Sequence, residues 1–181
     1  MSRIHKSVCA AAVGVLFAFS APSFATTKAD YNAAKDRAEA DYKTASVACK
    51  SLASNANDVC VAEAKAARTK SNAMAEADYK NTPKARSEAM ATAADADYDV
   101  AKQRCDAKTG NEKDVCVKEG KAVQTKTKAD AKAVEKSAVA RNDASSDKRD
   151  ADYKVAMEKC GGFAGAAKDN CQSTAKSTYG K

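Results

Sequence analysis

Small and apolar residues recur at steps of three and four in three stretches of the chain. Tyr42, Ala45 and Cys49 form the first set, Tyr98, Ala101 and Cys105 the second, and Tyr153, Ala156 and Cys160 the third. Such steps place side chains on one face of an α-helix. Nowhere does the chain alternate with the period of two that a half-buried strand requires. The pattern predicts an all-α fold.

Each set continues in the same way. An Ala-Asp-Tyr triplet leads into it: Ala40-Asp41-Tyr42, Ala96-Asp97-Tyr98 and Ala151-Asp152-Tyr153. Five residues beyond the first cysteine comes Ser54, Gly110 or Gly165. Asp58, Asp114 or Asp169 then precedes a second cysteine, Cys60, Cys116 or Cys171. A small residue and a lysine close the unit: Ala64-Lys65, Gly120-Lys121 and Ala175-Lys176. The motif A-D-Y-x2-A-x3-C-x4-[GS]-x3-D-x-C-x3-[AG]-K returns about every 55 residues, the mark of a repeated supersecondary unit.

Helix boundaries follow from local signals. The first helix is expected from Lys28 to Leu52 and the second from Asn57 to Lys80. Asn81-Thr82-Pro83 then breaks the chain, with Thr82 placed to cap and Pro83 suited to a first helical position. The third helix runs to about Lys108. The fourth starts near Glu112 and, with no proline or glycine after Gly120, can continue to Cys160, on the order of 70 Å. The alternative is a hinge over the polar stretch Arg141–Asp147. A short last helix follows Lys168. Within each unit Gly110 or Gly165 suits the stop of the incoming helix. Asn55, Asn57 or Asn111 can cap the outgoing one, with Asp58, Asp114 and Asp169 in its first turn, where negative charge is favoured. The expected organisation is three antiparallel helical hairpins in tandem, over residues 26–82, 83–142 and 143–181, the last two able to share one long helix.

The chain has seven cysteines. Cys9 falls in a stretch that reads as a secretion leader over residues 1–25. Arg3, His5 and Lys6 give it a positive start, Val8–Phe19 an apolar run too short for a membrane span, and Ser23-Phe24-Ala25 small residues before a cleavage point. An uncleaved anchoring helix is the competing reading. The other six cysteines allow fifteen connectivities. Turn residues inside each pair favour local bridges, Cys49 with Cys60, Cys105 with Cys116 and Cys160 with Cys171, each clipping one hairpin beside its turn. Bridges between different helices, as in proteins with twin C-x9-C motifs, are the alternative. Metal binding by the thiolates is the third reading; no histidine follows His5 and no C-x2-C occurs, so no metal is expected. One local clip contributes roughly 2.8 kcal/mol in the chain-entropy treatment.

Composition explains why clips matter. Alanine is roughly a quarter of the chain, far above average usage. After the leader there is no isoleucine and a single leucine, Leu52. Such a chain favours helix but cannot fill a wide core. The formal charge of +7 becomes +5 when Arg3 and Lys6 leave with the leader, and acids and bases are interspersed. That balance is weak for nucleic acid, and no specific nucleic-acid partner is expected. No later stretch is apolar enough to span a bilayer.

The chemistry for catalysis is missing from the pattern: there is no histidine after the leader, no nucleophile elbow, no phosphate-binding glycine loop and no C-x-x-C. No enzyme activity or cofactor is expected. The repeated tyrosines are expected to pack on the neighbouring helix over alanines, with their hydroxyls in water; a row of rings stacking on sugars or bases is the alternative.

The units Ala40–Lys65 and Ala96–Lys121 resemble small, exported, alanine-rich repeat proteins of Gram-negative bacteria with ADY…C…GN…D.C…AK units, which often carry the automated name "cell envelope biogenesis protein TolA". The resemblance covers nearly the whole chain after the leader. It implies export and helical repeats, and it supplies no catalytic residues. TolA itself is similar only in its alanine-, lysine- and acid-rich helical middle region. Its membrane anchor and separate C-terminal domain are expected to have no counterpart here. The leading expectation is a periplasmic structural or interaction protein with an unidentified envelope protein or polymer as partner. The alternatives are a stress-protective hydrophilic helical protein and a weak binder of anionic polymers.

Overall fold

A computed structural model describes residues 26–181. The leader expected over residues 1–25, including Cys9, lies outside them. The described chain is all-helical, with α1 over Lys28–Cys49, α2 over Ser54–Lys80, α3 over Pro83–Cys105, α4 over Gly110–Cys160 and α5 over Gly165–Tyr179.

Local sequence accounts for the ends. Thr27 opens α1 with a reciprocal capping box: its hydroxyl accepts from the Asp30 amide, and the Asp30 carboxylate accepts from the Thr27 amide. Hydrogen bonds from the Thr27 hydroxyl and then the Thr27 amide hold the Asp30 carboxyl below the usual carboxylate range. Thr82 caps α3 by accepting from the Ala85 amide, with Pro83 at the first position. Asn81, in the left-handed region at φ 48°, reverses the chain between α2 and α3.

The other three turns correct the expected boundaries. α1, α3 and α4 end at Cys49, Cys105 and Cys160, and the next helix begins at Ser54, Gly110 or Gly165 with φ near +50°. The glycine or serine therefore opens the outgoing helix instead of stopping the incoming one. The helices α2, α4 and α5 lack a side-chain cap. Asn57 instead donates to the Cys49 carbonyl at 2.7 Å, and Asn55 donates to the Gln103 carbonyl at 2.7 Å. Asn111 is simply the second residue of α4. Because the helices start earlier, Asp58, Asp114 and Asp169 fall at their fifth residue, past the first turn.

Each helix packs only against its neighbours in the chain, and consecutive helices run antiparallel. Hairpin one shows this: Cys49 bridges Cys60 at one end while Tyr31 stacks on Tyr79 at the other, 5.2 Å between ring centres. The first four helices therefore form a single layer, not a bundle around a shared centre. The reason lies in paired alanines two residues apart. Two residues turn a helix by about 200°, so such a pair points to nearly opposite sides. On α2, Ala64 and Ala75 are buried toward α1, and Ala66 and Ala77 toward α3. On α3, Ala96 packs with Ala66 and Val100, while Ala94 is buried on the other side. Each stripe repeats every eleven residues, close to three turns of a straight α-helix. Alanine at the contacts lets the axes approach closely.

α4 is one unbroken helix of 51 residues, about 76 Å long. It passes through Arg141–Asp147 without a hinge. Its first half lies against α3, where Lys128 pairs with Asp95 at 2.6 Å. Its last part lies against α5, where Lys181 pairs with Asp150 at 2.6 Å. Between them every residue from Val139 to Ser145 is exposed. Helix two of the second hairpin and helix one of the third are thus fused end to end.

Candidate interaction surface

The repeated residues meet at the hairpin clips. Cys49–Cys60, Cys105–Cys116 and Cys160–Cys171 are disulfides with Cα separations of 5.6, 5.7 and 5.6 Å. Cys49, Cys105 and Cys160 are the largest fully buried side chains. In a layer whose other buried residues are mostly alanine, the clip is the centre of each hairpin's packing.

Two turns before each first cysteine stands the tyrosine, with the motif alanine between them. Gly120 of α4 sits so close to α3 that a Cβ there would lie 3.1 Å from the Ala101 Cβ and 3.5 Å from the Tyr98 ring. The same slot holds Ala64 in hairpin one and Ala175 in hairpin three, both buried. The small residue of the motif is thus the seat for the Tyr-Ala face of the preceding helix. Ala45, Ala101 and Ala156 are half-buried on that face.

The tyrosine rings are covered by cations or by other rings. The Arg68 guanidinium lies 4.1 Å above Tyr42, and Lys102 and Lys121 each approach Tyr98 at 5.2 Å. Tyr153 meets Tyr179 edge-on at 6.2 Å. The three repeated tyrosines do not converge; each serves its own hairpin.

Ion pairs mark every interface: Glu39 with Arg68, Asp97 with Lys70, Glu63 with Arg104, Asp95 with Lys128 and Asp150 with Lys181. They are largely exposed, so they set register more than stability. Hydrogen bonding from Lys128, then from Gln124, holds the Asp95 carboxyl below its usual range. Asp99 beside Lys102 pushes that ammonium pKa upward.

An open groove of about 570 Å³ runs between α2 and α3. Ala62, Ala66 and Ala96 form its floor, and Asp58, Lys65, Asp99 and Lys102 its rim. Asp95, paired with Lys128 of α4, also lines the groove, so its lining mixes acids and lysines. Among the described residues no group of three or more His, Cys, Asp or Glu could hold a metal ion. No helix among them is long and apolar enough to cross a membrane.

Sequence reasoning found the clips. It missed the two-sided alanine stripes, although the signal is present in Ala64-x-Ala66, Ala75-x-Ala77 and Ala94-x-Ala96. No protein-family model, curated protein or solved structure matches the chain.

Proposed function

We propose that this chain is a non-enzymatic helical repeat protein of the bacterial periplasm, acting as a structural or interaction element of the cell envelope. The observation that carries the reading is the distribution of covalent clips. Every cysteine among residues 26–181 is in a disulfide, one per hairpin turn, and such bonds persist in oxidising compartments. The clips stabilise a single layer that leaves both broad faces open, which suits binding along an extended surface more than enclosing a small substrate.

Fractionation of the native cell with thiol trapping tests this. The mature chain is expected in the osmotic-shock fraction, with its six cysteines alkylated only after reduction. Recovery from the cytosol with freely alkylated thiols overturns the proposal.

A further inference from the structure

The residues of the α2–α3 interface recur within α4. The cysteine motif sets the correspondence. Cys60 answers to Cys116, so α2 maps 56 residues on, to the first half of α4; Cys105 answers to Cys160, so α3 maps 55 residues on, to the second half. The buried contact of α2 with α3 is made by Ala66, Ala77, Ala85, Ala89, Ala96 and Val100. Their counterparts are Ala122, Ala133, Ala140, Ala144, Ala151 and Val155, the same residue type at every position, and all are exposed. The ion pairs across α2–α3 recur too: Lys70 with Asp97 as Lys126 and Asp152, Glu63 with Arg104 as Glu119 and Lys159. Asn55, which donates to the Gln103 carbonyl, recurs as Asn111, opposite Glu158. Among the described residues Lys126, Asp152, Glu119 and Lys159 have no ion pair within the chain.

The connection differs. Asn81-Thr82-Pro83-Lys84 joins Lys80 to Ala85, but only Ser137-Ala138-Val139 joins Lys136 to Ala140. With the left-handed asparagine and the proline gone, no local signal turns the chain, and α4 runs straight. The two halves of an inter-hairpin contact are thus held end to end. α3 and α5 cover the side of Gln124, Ala131 and Cys160, so the side that carries these halves is open.

We infer that α4 is a two-state element: it breaks at Ser137–Val139 and folds its halves together as α2 folds on α3. The third hairpin then docks on the second, and the layer grows to six helices. Ser137 is placed to cap the second half. The break gives up the backbone bonds of one helical turn, in a stretch without tertiary cover that opens at low cost. The docking covers the stripe and pairs the four free charges. Packed helices switch between such discrete arrangements.

Charge along the whole contact agrees. The residues lining the clefts beside α2–α3 map, on the first half of α4, to six lysines against Asp114 and Glu119. On the second half they map to Asp143, Asp147, Asp150, Asp152 and Glu158 against Lys154 and Lys159. A net positive half meets a net negative one. Two positions depart from the pattern. Ala62 becomes Lys118, level with Lys154 and Glu158, and Ala93 becomes Lys148, level with Lys126 and Asp130. Each meets one like and one opposite charge and adds no preference.

Zero-length carbodiimide crosslinking of the oxidised chain, residues 26–181, tests the inference, with linked peptides read by mass spectrometry. Amides joining Lys126 to Asp152 and Glu119 to Lys159 are expected, although the straight helix holds these pairs about 39 Å and about 60 Å apart. Ala138→Pro, which restores the proline of the α2–α3 turn, should raise their yield. Ala144→Glu, which sets a charge inside the folded contact, should abolish them, and circular dichroism shows that both variants stay helical. Mixing with a heavy-isotope copy identifies the source: links confined to one chain support the inference, and links between chains assign the stripe to a second copy and overturn it. A yield indifferent to both variants overturns it too. So does the absence of both links while the resident pairs Lys128–Asp95 and Lys181–Asp150 are joined.

Discussion

Gly120 and Ala101 face each other across the α3–α4 interface with room for nothing larger than a methyl group. A Cβ on Gly120 would stand 3.1 Å from the Ala101 Cβ, tighter than ordinary contact. Gly120→Leu should therefore force α3 and α4 apart and cost about 1–3 kcal/mol, the usual range for overpacking. Gly120→Ala should be close to neutral, because Ala64 and Ala175 occupy the equivalent seats and alanine favours helix. Urea unfolding of the two variants separates these outcomes; equal stability of the leucine variant would count against the seat.

The clips should supply much of the stability of so alanine-rich a layer. Replacing Cys105 and Cys116 together by serine is expected to cost about 2–4 kcal/mol. The loss should appear as an earlier urea midpoint under oxidising conditions. If the double variant unfolds with the wild-type chain, the α3–α4 hairpin does not depend on its clip.

Trypsin should find the uncovered stretch of α4 first. Neither α3 nor α5 shields Arg141, Lys148 or Arg149, and residues 139–145 are all exposed. Helix without tertiary cover opens locally at low cost. Brief digestion should yield an N-terminal piece holding two disulfides and a C-terminal piece holding Cys160–Cys171. No disulfide crosses the cut, so the pieces separate without reduction. Mass spectrometry that finds the first cuts within α2 or α3 would contradict this order of stability.

The α3–α4 contact should weaken in acid. Lys128 and Gln124 hold the folded Asp95 carboxyl below its unfolded pKa, so its contribution is present above the unfolded value and is lost as pH falls through the folded one. The effect is small, below about 1 kcal/mol, because the pair is half-exposed. Asp95→Asn should lower stability at neutral pH and flatten the acid limb. An unchanged acid limb in that variant would remove Asp95 from the account.

Circular dichroism in dilute buffer should show a strongly helical chain before any drying, since five packed and clipped helices span most of residues 28–179. A protective protein that folds only on dehydration would read as mostly disordered under the same conditions.

The parts of this fold that depend on neighbours in sequence were legible without a structure. Tyr98, Ala101 and Cys105 share a face because a helix turns by about 100° per residue. Cys105 and Cys116 meet because a turn lies between them, and Thr82-Pro83 starts α3 because the hydroxyl and the fixed φ suit a first turn. Where local rules allowed two outcomes, the reading slipped. Gly110 satisfies either a helix stop or a helix start, and its positive φ opens α4, which moves Asp114 past the first turn.

Only the tertiary structure decided the rest. Alanine favours helix wherever it stands, so composition alone does not distinguish a buried stripe from a solvated one. Packing on both sides of α2 and α3, and on one side of α4, shows which alanines are interface, and it joins the first four helices into a single layer. The continuity of α4 through Arg141–Asp147 is likewise a tertiary outcome. No local signal breaks the helix there, and α3 and α5 anchor it at either end on the same side.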